Sequence, residues 1–177
     1  VEALIGLRPV TNGSIFLSGV NITRLSTRDR IDRGLACIPS ERGRALVPNM
    51  SIAENLILKN YRKPPISQGA VVDYSNVNKY ADRLINEYQV KTPSRETPMK
   101  LLSGGNIQRA LLAREISTEP DVLIAATPTG GLDVGATETV WKLLLEQRKQ
   151  GRTVLLISED LDEVMTLADR IAVLYEG

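Results

Sequence analysis

The chain has 177 residues, room for one domain or part of a larger one. Hydrophobic residues make up 42% and charged residues 24%, which excludes a disordered chain and allows a real core. Twenty-two Lys and Arg face 21 Asp and Glu, and a net charge of +1 gives no global pull toward nucleic acid or an anionic membrane.

In chain order, Val1-Glu2-Ala3-Leu4 has neither Met nor a basic n-region, so it reads as neither a signal peptide nor a natural start. Glu2 to Leu7 reads as the last turns of a helix stopped by Gly6 and Pro9. After the Asn12-Gly13 turn, Ser14 to Ser18 alternates like a strand. A short polar helix over Thr27 to Arg33 closes at Gly34, and the apolar strand Leu35–Ile38 runs into Pro39-Ser40-Glu41-Arg42. Ser51-Ile52-Ala53-Glu54 has capping-box spacing and starts a helix. Residues 62–76, with Pro64-Pro65 and Gly69, read as an irregular surface connection, and Val77 to Tyr88 as an amphipathic helix. Beyond Asp121, strands at Val122–Ala126, Thr153–Ile157 and Ile171–Leu174 alternate with helices at Val134–Gln150 and Leu161–Ala168. That alternation predicts an α/β fold with right-handed crossovers and a mostly parallel, buried sheet. Residues of about 50–118 are expected to be helical only, an inserted lobe on a core formed by 1–49 and 119–177. The longest apolar runs, such as Val122–Ala126 and Val154–Ile157, are far too short to span a bilayer.

Histidine is absent and there is one cysteine, Cys37. No Ser-His-Asp or Cys-His nucleophile system and no His-ligated zinc can be built, nor an intrachain disulfide, and the usage suits a reducing compartment. Chemistry must rest on carboxylates, hydroxyls, backbone N–H groups and cations. The sharpest local signal is Leu102-Ser103-Gly104-Gly105-Asn106-Ile107-Gln108, two glycines leading into a helix. Unpaired N–H groups at the positive end of a helix dipole bind anions, and glycine lets phosphate oxygens approach. An ordinary helix start capped by Ser103 is the plain alternative.

The whole string resembles the signature motif of ATP-binding-cassette (ABC) proteins, and the segments around it resemble that family in order and spacing. Asp121–Ala126 sits where the family has its Walker B strand, and Pro128-Thr129-Gly130-Gly131-Leu132-Asp133 leads into the D-loop. Leu155 to Leu161 resembles the switch strand and following helix, and Ile38 to Arg42 the Q-loop. The resemblance implies a P-loop-NTPase-like cassette with a RecA-like core, here without the N-terminal strands and without any Gly-x-x-x-x-Gly-Lys-Ser/Thr loop. That loop is expected just upstream of Val1.

Departures from the pattern are equally informative. Ala126 stands at the Mg²⁺-binding carboxylate position, Thr127 at the catalytic Glu, Glu159 at the switch His and Ser40 at the Q-loop Gln. Alanine cannot hold a hard cation and threonine is a poor general base, so no metal site and no confident catalytic residue is expected in this chain. These losses beside an intact signature resemble the second, degenerate cassette of simple-sugar and nucleoside importers, although Gly130 replaces an expected basic residue. The resemblance implies that Ser103, Gly104, Gly105 and Gln108 face ATP held with Mg²⁺ by a second cassette, with Asp133 at the shared interface. It also implies transmembrane permease partners, no nucleic acid, and a peripheral location on the cytoplasmic face of the plasma membrane. A nucleoside is the first substrate expectation and a simple sugar the second. A non-catalytic interaction module with the same fold, or an ABC ATPase outside transport, are the other readings.

Four features carry plainer expectations. The arginines at 24, 28, 30, 33, 42 and 44, with no aromatic residue among them, read as a solvated face. Glu159, Asp160, Asp162 and Glu163 read as dipole-complementing acids at a helix start. Trp141 reads as a core or domain contact, and Cys37 as a small buried residue rather than a nucleophile.

Overall fold

The computed structural model describes residues 1–69 and 71–175, with Arg44 in its backbone alone. A short helix α1 (Glu2–Ile5) ends at Gly6 and is followed by a hairpin of β1 (Phe16–Leu17) and β2 (Val20–Asn21). Ser18 and Gly19 both have positive φ, the backbone that a two-residue hairpin turn of matching twist needs. The strand expected over 14–18 is thus one short arm of this hairpin. Helix α2 (Thr27–Asp32) leads to β3 (Leu35–Ile38) through Gly34, at φ 83°, where a Cβ would lie 2.8 Å from an Asp121 carboxylate oxygen. Only glycine fits both demands.

Helices α3 (Arg42–Ala45) and α4 (Ile52–Ile57) follow, then the hairpin β4 (Ser67–Gln68) and β5 (Val71–Val72), and α5 (Tyr74–Glu87). That hairpin corrects the expectation that about 50–118 would be helical only and that 62–76 would be irregular. A 3₁₀ turn (Met99–Leu101) precedes α6 (Gly104–Ile116), then come β6 (Val122–Ala126), α7 (Val134–Lys149), β7 (Thr153–Ile157) and α8 (Leu161–Leu167).

The three longer strands form a parallel sheet in the order β3-β6-β7, in register Ile38 with Ala125 and Ala126 with Ile157. Central β6 is buried on both faces, which is why Val122–Ala126 is an unbroken apolar run rather than an alternating one. Leu123 and Ala125 enter the main core with Ile38, Ile52, Leu56, Leu84, Leu111 and Val140, while Ile124 joins Leu17, Ile22 and Leu35 in a smaller cluster on the other face. Strand β7 carries Leu155 and Ile157 exposed at 42% and 39%. The strand expected at Ile171–Leu174 does not form: these residues have no ladder partner and stand exposed. An apolar run of strand-forming residues makes a strand only where another edge accepts its hydrogen bonds.

Helix α6 is the hub. Its residues from Ala110 to Ile116 are all buried, and it touches α3, α4, α5, α7 and β3. Glu115 on α6 is fully buried, with one oxygen bonded to Arg114 (3.0 and 2.9 Å) and the other to Lys59 and the Cys37 amide. Arg30 corrects the solvated-arginine expectation. It is 2% exposed and donates to the carbonyls of Ala3 (2.6 Å), Leu4 (2.7 Å), Thr23 (2.8 Å) and Leu25 (3.1 Å), stitching the end of α1 to the start of α2. No helix among the described residues is long and apolar enough to cross a membrane.

Candidate functional site

Two groups of predicted residues occupy two different places. Ser40, Thr127 and Glu159 follow the carboxyl ends of β3, β6 and β7, the sheet end where α/β folds bind ligands, and all three are exposed. Ala126, the last residue of β6, is buried at 4%. Its side chain has no oxygen to offer, and among the described residues no group of three or more His, Cys, Asp and Glu side chains is placed to hold a metal ion. Thr127 is held at φ 46°, an unusual backbone for a β-branched residue, and its N–H donates to Ile157 O at 2.7 Å. Its methyl group lies 3.0 Å from where a Cβ of Gly130 would sit, so a larger residue at 130 would crowd it.

The second place is the start of α6. Ser103 is the N-cap residue, with extended backbone, yet its side chain bonds to no backbone N–H of the helix. Its hydroxyl instead accepts from Asn106 Nδ2 at 2.9 Å, while Asn106 Oδ1 accepts the Lys91 N–H at 2.8 Å. Helix geometry gives the first N–H groups no intrahelical acceptor, so those of Gly104, Gly105 and Asn106 remain available at the positive end of the dipole. Ser103 and Gly104 are exposed, as an anion site requires. Gly105 packs toward α7, with 3.4 Å between its would-be Cβ and that of Ala136. The guanidinium of Arg42 stands beside Gly104 and donates to Gly130 O, and burial lowers its pKa from the ordinary arginine value. The sequence placed this arginine on a solvated face, and its half-buried position against Gly130 and the start of α6 corrects that expectation.

Gln108 departs from expectation. It is 1% exposed, and its Nε2 donates to Pro128 O at 2.6 Å, because five residues into α6 the chain has turned to its core face. Its link to the site runs through the loop before α7. Asp133 is exposed and caps α7 by accepting the Ala136 N–H at 2.8 Å. Of the acids grouped at 159–163, Asp160 caps α8 through the Glu163 N–H at 3.1 Å. Glu163 itself is fully buried and accepts from Thr129 Oγ1 (2.8 Å) and Trp141 Nε1 (3.1 Å). Cys37 is half-buried in β3, where burial first and Glu115 second push its thiol up to about 11. It is therefore no nucleophile at neutral pH.

Comparison with known proteins bears directly on this arrangement. The chain is 47% identical over 178 residues to the guanosine import ATP-binding protein NupO of Bacillus subtilis, covering 100% of this chain and 35% of the relative. It is 42% identical to the nucleoside import ATP-binding protein NupA of Lactococcus lactis, with the same coverage. The ribose import ATP-binding protein RbsA of Oceanobacillus iheyensis is 35% identical across the full chain, which covers 36% of that relative. The chain thus spans about a third of the length of the curated relatives it matches. In fold it is similar to an ATP-binding cassette solved as a dimer in a post-hydrolysis state bound to ADP and Pi, with a TM-score of 0.76 at 22% identity over 93% of this chain and 70% of that one. Residues 1–130 match the family model described as ABC transporter, and that match shows that the chain belongs to the ABC transporter family.

Proposed function

We propose that this chain is part of the ATPase subunit of a nucleoside importer, and that within it the chain is a degenerate cassette serving the active site of another. The uncapped start of α6 supports this reading most directly: Ser103, Gly104 and Gly105 present free donors of the kind a phosphate needs. The sheet end, by contrast, has Ala126 and Thr127 where a metal carboxylate and a general base would stand. The first place fits the phosphates of ATP. The second does not fit Mg²⁺ in the manner of an active cassette. ATP held with Mg²⁺ by the partner cassette supplies the phosphoryl group whose transfer drives import.

In this reading residues 1–49 and 119–177 form the core and about 50–118 a lobe on it. Ser103 and the N–H groups after it stabilise charge on the partner's nucleotide, and Asp133 lies at the interface between cassettes. Both cassettes attach to transmembrane permease subunits at the cytoplasmic face of the plasma membrane. The guanosine and nucleoside names of two relatives favour a nucleoside over a simple sugar. The test is to inactivate the phosphate-binding loop of the partner cassette in the intact transporter. All ATP turnover then stops if this half is hydrolysis-deficient, whereas about half of it persists if this half is an independent ATPase.

A further inference from the structure

We infer that Glu163 is a positioning residue: through Thr129 it sets the loop between β6 and α7, and so the geometry in which Asp133 and the start of α6 meet the partner's nucleotide. The inference rests on the function proposed above. Glu163 is fully buried, yet the partners of its carboxylate are the neutral groups of Thr129 and Trp141, and its second oxygen, Oε2, is buried with no hydrogen-bond partner. A buried carboxylate left in this state is a poor stability device, because desolvation is only partly offset. What it does is join three elements. Its own N–H is fixed by Asp160 at the start of α8, Trp141 belongs to α7, and Thr129 belongs to the loop.

The same loop is held from the opposite side. Gln108, on the signature helix, donates to the carbonyl of Pro128, the residue next to Thr129. Thr127, before them, is tied to the end of β7 through Ile157 O, and Leu132, after them, donates to Thr129 O at 3.0 Å. Pro128-Thr129 therefore links the signature helix to α8, whose N-cap Asp160 follows Glu159 at the switch position. Release of Thr129 frees the loop that ends in Asp133, and Asp133 starts the helix whose Ala136 packs on Gly105. Small displacements of groups that orient a reaction reduce turnover far more than binding.

The experiment uses the intact transporter and four variants. Glu163→Ala removes both hydrogen bonds, Glu163→Gln keeps an oxygen to accept them, Thr129→Val removes only the loop's bond, and Ser103→Arg serves as the control for the proposed function. Nucleotide affinity and ATP turnover are measured separately. Glu163→Ala and Thr129→Val are each expected to lose on the order of tenfold in turnover with nucleotide affinity within about twofold, and Glu163→Gln to stay within about threefold of the parent. The indole N–H resonance of Trp141, assigned by its loss in Trp141→Phe, is expected to shift in Glu163→Ala and to persist in Thr129→Val. Equal losses in Glu163→Ala and Glu163→Gln overturn the inference, since charge and not hydrogen bonding would then matter. Parent-like turnover in Thr129→Val also overturns it, and this variant decides the matter if Glu163→Ala fails to fold. If Ser103→Arg silences turnover while the Glu163 and Thr129 variants do not, the inference fails alone. If Ser103→Arg is itself active, the proposed function fails with it.

Discussion

Three described helices, α2, α4 and α6, begin at a serine; Ser26 and Ser51 each accept a backbone N–H of their helix, whereas Ser103 does not, and α4 and α6 show the contrast best. At α4, Ser51 Oγ accepts the Glu54 N–H at 3.2 Å while Glu54 Oε2 accepts the Ser51 N–H at 2.8 Å, a complete capping box. At α6, Ser103 has the same N-cap backbone, but its hydroxyl is bonded to the Asn106 side chain and caps nothing. The α4 start is closed and contributes to folding. The α6 start is open, and its stability comes from behind, through a helix whose residues from 110 to 116 are all buried. A helix fully anchored in a core can leave its first turn unsatisfied in solvent, and an unsatisfied first turn is what a phosphate can use.

Closing the open start should separate function from stability. Aspartate is as good an N-cap as serine, so Ser103→Asp is expected to leave thermal stability unchanged or raise it by up to about 1 kcal/mol. Its carboxylate would occupy the donors and repel the phosphate, lowering ATP turnover in the intact transporter on the order of 10²–10³. A fall in stability parallel to the fall in turnover would erase the contrast between the two serines.

Cys37 reports whether such variants keep their core. With its thiol pushed up to about 11, native alkylation at pH 8 should run roughly 100-fold slower than in the unfolded chain, where the ordinary value is 9.0. The same shift favours the folded state fully below about pH 9 and loses its effect as pH rises toward about 11. Ser103→Asp should preserve the slow rate, measured by timed iodoacetamide labelling, and a fast rate would assign its defect to misfolding.

The closed start gives a smaller effect, of the opposite kind. Ser51→Ala is expected to lower stability by about 1 kcal/mol in denaturant unfolding, with turnover per folded molecule unchanged. Ser103→Ala should stay within about 0.5 kcal/mol of the parent, because no backbone cap is lost. Equal losses at the two positions would mean that Ser103 caps α6 in solution.

The features readable from sequence were those whose cause is local. The capping box at Ser51, the apolar strands at Leu35–Ile38, Val122–Ala126 and Thr153–Ile157, and the glycines opening α6 stand where their spacing put them. What escaped depends on contacts far along the chain. The burial of Arg30 follows from carbonyls 26 and 27 residues away. Glu163 was one of four acids at a helix start, and only its packing against Thr129 and Trp141 sets it apart from the capping Asp160. Gln108 had a motif to recommend it for the nucleotide, but helical phase turns it inward. Ile171–Leu174 had strand composition without a strand partner.

The central claim is that this half gives its open helix start to a nucleotide bound elsewhere and that its own sheet end is inert. The most direct measurement compares Ser103→Arg with Glu159→Ala in the intact transporter, with the partner's phosphate-binding loop unaltered and nucleotide binding and single-turnover hydrolysis followed separately. Ser103→Arg is expected to bind nucleotide like the parent and hydrolyse it on the order of 10²–10³ more slowly, while Glu159→Ala stays within about twofold. Normal hydrolysis in Ser103→Arg together with loss of hydrolysis in Glu159→Ala would reverse the assignment and make this half the catalytic one.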